Sequence, residues 1–128
     1  MIFDTTFLID LEREYSRDRP GGARAFLQLH QDTPLSISII TVYEFAEGFL
    51  PAQEQACRHA LSRYNILQLT TEIAWKAGQI SRQLRTSGQR LGDNDILIAA
   101  TALRHRLPLV TKNLRHFERI PGLSLTAY

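Results

Sequence analysis

The sequence predicts a three-layer α/β fold, a short parallel β-sheet sandwiched between α-helices. Two observations predict it. Brief runs at Ile2-Phe3, Leu35 to Ile40, Ile66 to Leu69 and Pro108 to Thr111 alternate with longer helical stretches, and that alternation builds parallel sheets. The runs are also short and mostly apolar, as strands covered on both faces are. With 128 residues the chain fits one domain, read here as 1–128.

Each element has its own signal. Ile2-Phe3 is a short strand; Asp4-Thr5-Thr6 turns into a helix carrying Phe7, Leu8, Ile9 and Leu11 to about Tyr15. Arg19-Pro20-Gly21-Gly22 breaks the chain, and a second helix covers Ala23 to Gln31. Leu35 to Ile40 is the clearest strand, after which Thr41-Val42-Tyr43-Glu44 opens a helix reaching Phe49 or Leu50. Pro51 suits the first turn of a helix to about Arg63, and Ile66 to Leu69 reads as a third strand. Ile73, Ala77, Ile80 and Leu84 recur at helical spacing, with cations on the opposite side. Asp93 to Arg106 is apolar around most of its circumference and so reads as a buried helix. Pro108 to Thr111 is a short strand, and Leu123 to Leu125 a last one.

Composition excludes several classes. A chain with 44% hydrophobic and 22% charged residues has the make-up of a globular domain rather than of a disordered one. No stretch approaches the roughly 20 apolar residues of a membrane helix, and Met1-Ile2-Phe3-Asp4 lacks the basic start of a signal peptide. A cytoplasmic location fits. The single cysteine, Cys57, leaves no internal disulfide and no cysteine-based zinc site. His30, His59, His105 and His116 are scattered, and no Gly-rich phosphate loop is present, which disfavours zinc enzymes and NTPases. The net charge is only +2, yet Lys76, Arg82, Arg85, Arg90, Arg104, Arg106, Lys112, Arg115 and Arg119 crowd the second half. Such cations suit a polyanion such as RNA, or are solvated helix faces.

In parallel α/β sheets ligands bind beyond the carboxyl ends of the strands, and acidic residues stand there. Asp4 follows the first strand directly. It either projects into a site or caps the next helix, a role Thr5 and Thr6 are also able to fill. Glu44 completes Thr41-x-x-Glu44, the signature of a capping box, but its apolar neighbours favour a counter-ion. Asp95 heads the helix face that carries Ile98, Ala99 and Ala102 inward, where a charge is costly unless paired or bound to metal. Asp93, off that face, reads as a cap or a lesser participant. Three converging carboxylates repel one another, and a hard divalent cation removes that cost. Such clusters run phosphodiester hydrolysis.

These residues resemble the motifs of one family. Ile2-Phe3-Asp4-Thr5-Thr6-Phe7-Leu8-Ile9-Asp10 and Ser38-Ile39-Ile40-Thr41-Val42-Tyr43-Glu44 are similar to the first two motifs of PIN domains. Gly92-Asp93-Asn94-Asp95-Ile96-Leu97-Ile98-Ala99-Ala100 resembles the third, and Pro108-Leu109-Val110-Thr111-Lys112-Asn113 through Gly122-Leu123 the last. The nearest subgroup is the VapC-like toxins of type II toxin–antitoxin systems.

The resemblance implies a Mg²⁺ site, with Mn²⁺ able to substitute, built by Asp4, Glu44 and Asp95. It implies endonucleolytic cleavage of RNA, tRNA or rRNA, by a metal-activated water. It also implies a homodimer paired with a small antitoxin that covers or enters the acidic site. Asp93 and Asn113 become supporting residues, Thr6 and Thr111 holders of the carboxylates, and Lys112, Arg115 and Arg82 contacts for RNA phosphates. Asn113 departs from the pattern, because many PIN domains have an acid there. That departure favours the competing reading, a catalytically degenerate module that binds RNA or protein. A phosphotransfer receiver fits worse, since no Asp follows Leu35 to Ile40. Some of Phe7, Leu8, Leu11, Tyr43, Phe45 and Phe49 are expected to form a dimer surface or a groove for an antitoxin helix.

Overall fold

The computed structural model describes Met1–Tyr128. Five short strands, β1 (Ile2–Phe3), β2 (Ser36–Ser38), β3 (Asn65–Leu67), β4 (Leu109–Val110) and β5 (Leu125–Thr126), pair in the order β3-β2-β1-β4-β5. Every pairing is parallel. The helices are α1 (Thr5–Ser16), α2 (Gly22–Leu29), α3 (Ile39–Ala46), α4 (Glu54–Leu61, entered through a 3₁₀ turn at Pro51–Gln53), α5 (Thr71–Thr86), α6 (Asp93–His105) and α7 (Leu114–Phe117). No helix is long and apolar enough to cross a membrane.

Alternation along the strands creates the three layers. Ile2 and Leu109 face a core with Ile73, Ile80 and Leu84 of α5 and Ile98 and Ala99 of α6. Their strand neighbours Phe3 and Val110 face a second core with Phe7, Leu8 and Leu11 of α1, Phe26 of α2 and Leu61 of α4. Phe3 is fully buried among Phe7, Phe26 and Tyr64, whose rings lie 4.3, 6.1 and 6.0 Å from its own. Burying one such side chain contributes about 1.5–3 kcal/mol. A central strand of two residues therefore suffices, because all four side chains of β1 and β4 serve the two cores.

Several boundaries differ from the sequence reading. The strand expected over Leu35 to Ile40 ends at Ser38, whose Oγ accepts from the Ile40 N–H at 3.0 Å and caps α3. Ile39 and Ile40 are β-branched and argue for strand, but they fill a first helical turn, where crowding by a preceding turn is absent. The Thr41–Glu44 capping box does not form: Thr41 lies inside α3, fully buried, and its hydroxyl has no partner. The last strand falls at Leu125–Thr126 rather than Leu123 to Leu125. The one-turn α7 was not expected; four residues are too few to show a period.

Of the apolar residues expected at an interface, Phe7, Leu8, Leu11 and Phe45 are core. Tyr43 is 60% exposed. Phe49 lines an apolar groove with Val42, Ala46, Leu50, Pro51, Cys57 and Leu61.

Candidate active site

The order of the sheet reverses between β1 and β4, and the chain's largest cleft opens at the carboxyl ends of those strands. Its volume is about 770 Å³, and Asp4, Thr5, Thr6, Glu44, Asp95, Lys112, Asn113, Arg115 and His116 line it. The three carboxylates picked out by position thus share one cleft. Each arrives on a different element: Asp4 follows β1, Glu44 lies in α3, and Asp95 is in the first turn of α6.

Asp4 is 3% exposed. One carboxylate oxygen accepts the Phe7 N–H at 2.9 Å, so Asp4 is the cap of α1 after all. The other accepts the hydroxyl of Thr111, the residue after β4, at 2.5 Å. The cap and the site are therefore one residue in two roles. Burial pushes the Asp4 carboxyl up, the charges of Asp95 and Asp10 push the same way, and the bonds from Thr111 and Phe7 oppose them.

Glu44 accepts the Thr5 hydroxyl at 2.6 Å on one oxygen and the Asn94 amide at 3.4 Å on the other. Asp95 meets the His116 Nε2 at 2.7 Å. A carboxylate only accepts, so that nitrogen carries the hydrogen.

Cations ring the mouth. Lys112 donates to Asp10 at 2.5 Å, and Asp10 also accepts the hydroxyl of Tyr128 at 2.9 Å. Burial alone would raise the Asp10 carboxyl; the bonds and charge of Lys112, with Tyr128 and Arg13, hold it below the usual carboxylate range. Arg115 lines the cleft with no acid within salt-bridge distance.

Not every residue expected here is present. Asp93 faces a separate hollow with Arg85, Arg90 and Ile96, because a two-residue step along a helix turns it away from Asp95. Arg82 lies beside the exposed Trp75 on the outer face of α5 and does not line the cleft. Thr6 lines the cleft but makes no hydrogen bond to a carboxylate; Thr5 does so instead. Asn113 lines the cleft, and its backbone N–H donates to the Thr111 hydroxyl at 3.0 Å. Thr5, Asn94 and His116 were missed. Only Asn94, between two acids in Asp93-Asn94-Asp95, had a signal in the sequence.

Three carboxylates with free oxygen lone pairs form a donor set that fits a hard divalent cation such as Mg²⁺. No three His, Cys, Asp or Glu side chains form a ready-made metal-holding group. An ion that keeps several of its own waters needs none.

The PIN domain model matches residues 1–123. This chain belongs to the PIN domain family. Within it the chain falls among the VapC ribonucleases. It is 33% identical over 129 residues to Ribonuclease VapC1 of Methanocaldococcus jannaschii, covering 100% of this chain and 86% of that protein. It is 36% identical over 114 residues to the tRNA(fMet)-specific endonuclease VapC of Salmonella typhimurium, covering 85% and 86%. A solved toxin–antitoxin complex from Klebsiella pneumoniae contains a chain that superposes with a TM-score of 0.72 at 35% identity, covering 95% of this chain and 93% of that one. The PIN fold is thus shared along nearly the whole length.

Proposed function

We propose that this chain is a Mg²⁺-dependent endoribonuclease, with Mn²⁺ able to substitute, that acts in the cytoplasm as the toxin of a type II toxin–antitoxin pair. The convergence of Asp4, Glu44 and Asp95 in one cleft carries the reading, and the names of the VapC relatives support it. The three carboxylates hold the cation. When bound, it polarises a phosphodiester and makes hydroxide available near neutral pH.

The chain's own residues set the rest. Thr111 and Thr5 fix Asp4 and Glu44, so neither has to be ordered when substrate arrives. Lys112 and Arg115 at the mouth attract RNA phosphates. Asn113 offers an amide to cleft water, while Asp93 and Arg82 take no part at the cleft. The substrate class is structured RNA; the Salmonella relative's name makes tRNA the first to test.

The partner is a small antitoxin. Its docking place is the apolar groove between α3 and α4, which suits one face of an amphipathic helix. Exposed Tyr43 and Trp75 offer apolar surface for a homodimer.

The chemistry of the ends tests the reaction type. Attack by water leaves 5′-phosphate and 3′-hydroxyl ends, whereas attack by the ribose 2′-hydroxyl leaves a 2′,3′-cyclic phosphate. Fragments of tRNA cut in Mg²⁺ are expected to ligate directly through their 5′-phosphates. Cyclic-phosphate ends would contradict the proposal.

A further inference from the structure

Each of the three cleft carboxylates has a side-chain partner at 2.7 Å or less. Thr111 holds Asp4, Thr5 holds Glu44, and His116 meets Asp95. The third pair, like Thr5 with Glu44, is only part-buried, whereas Thr111 and Asp4 are buried. The Asp95 and His116 side chains are 35% and 40% exposed, so water would leave an unheld Asp95 carboxylate free to turn.

We propose that His116 is the positioning residue of Asp95: its Nε2–H fixes one carboxylate oxygen and leaves the other for a divalent cation. The inference rests on the reading that Asp95 helps to hold that cation.

The geometry supplies a chain of support from the core outward. Phe117 is 1% exposed and anchors α7, although that helix is a single turn. The His116 ring stands edge-on to Phe117 at 5.2 Å and 88°. From there Nε2 reaches Asp95 Oδ2 at 2.7 Å, the length of a charge-assisted bond. Oδ1 of Asp95 makes no hydrogen bond within the chain to a side chain or to the backbone outside α6. A partner that orients a ligating carboxylate in this way is typically worth about 10–100-fold in metal affinity.

Two other roles for His116 give different results. As a competitor for Asp95 it would weaken metal binding, and its removal would strengthen it. As a direct ligand it would not be replaceable by glutamine. Glutamine places an amide N–H close to where Nε2–H stands, so it restores a hydrogen bond but not an imidazole ligand.

The test is calorimetric titration of the full chain, free of antitoxin, with Mn²⁺ alone, for wild type, His116→Ala, His116→Gln and Asp95→Asn. Metal-free melting of each shows that the fold is kept. His116→Ala is expected to bind about 10–100-fold more weakly, with His116→Gln within a few-fold of wild type. An alanine variant that binds as wild type or more tightly would overturn the proposal, as would a glutamine variant as weak as alanine. Loss in Asp95→Asn beside an unaffected His116→Ala removes the role of His116 and leaves the metal site standing. A wild type that binds no Mn²⁺ removes both.

Discussion

Asp4→Asn is expected to abolish metal-dependent RNA cleavage while making the metal-free fold more stable. Loss of an outer partner of a metal ligand costs about 10–100-fold, so loss of the carboxylate itself is expected to cost at least about 100-fold in rate. Stability moves the other way. Asp4 is buried, and its burial raises the carboxyl above its ordinary value despite the bonds from Thr111 and Phe7. A carboxyl raised in the folded state binds its proton more tightly there than in the unfolded chain. Its contribution to stability is complete below the unfolded value and is lost as pH rises through the folded one. Above the folded value the full cost of the buried charge is present.

Asparagine keeps an oxygen to accept the Phe7 N–H and an amide to meet Thr111, so the helix cap survives without the charge. The gain is expected to be about 1 kcal/mol, or roughly 3–5 °C in Tm, measured by thermal melting in EDTA at pH 7. It should shrink toward zero below the carboxylate range. Asp4→Ala serves as the contrast, since it removes the cap as well, worth about 1 kcal/mol. A destabilised Asp4→Asn variant would mean that the carboxylate serves the fold rather than a cation.

Leu50→Glu is expected to weaken the cognate antitoxin at least 30-fold, on the order of 2 kcal/mol, while leaving RNA cleavage unchanged. Leu50 is 68% exposed and lines the groove with Val42, Phe49 and Leu61. Its replacement therefore costs the fold little, but places a charge where an apolar helix face has to lose water. Titration of the immobilised antitoxin with the two forms of this chain reads the effect. Equal affinities would place the docking surface elsewhere.

Much of this was legible in the sequence, and the failures have physical causes. The parallel sheet followed from short apolar runs such as Ile2-Phe3, which need no long-range information. The three acids followed from one rule about the carboxyl ends of strands. Thr41–Glu44 misled because its spacing fits a capping box, while Ser38, three residues earlier, takes the cap and draws two β-branched isoleucines into a helix. Asp4 was set against Thr5 and Thr6 as alternative caps, yet a buried carboxylate with two oxygens is able to cap and to face the cleft.

The partners of the carboxylates were the least visible part. Thr5 and Glu44 are 39 residues apart, Asp95 and His116 are 21 apart, and Tyr128 reaches Asp10 across 118. No local pattern records such meetings. Arg82 shows the converse, since cations counted along the chain do not reveal which helix face they occupy.

The central claim is that carboxylates in this cleft, through a divalent cation, cut RNA. The most direct measurement incubates purified, antitoxin-free chain with tRNA in Mg²⁺ and in EDTA, beside an Asp95→Asn variant shown by melting to be folded. Discrete fragments that form in Mg²⁺ and are absent with EDTA or with the variant are the expected result. Cleavage that persists in EDTA, or at the wild-type rate in the folded Asp95→Asn variant, would contradict it.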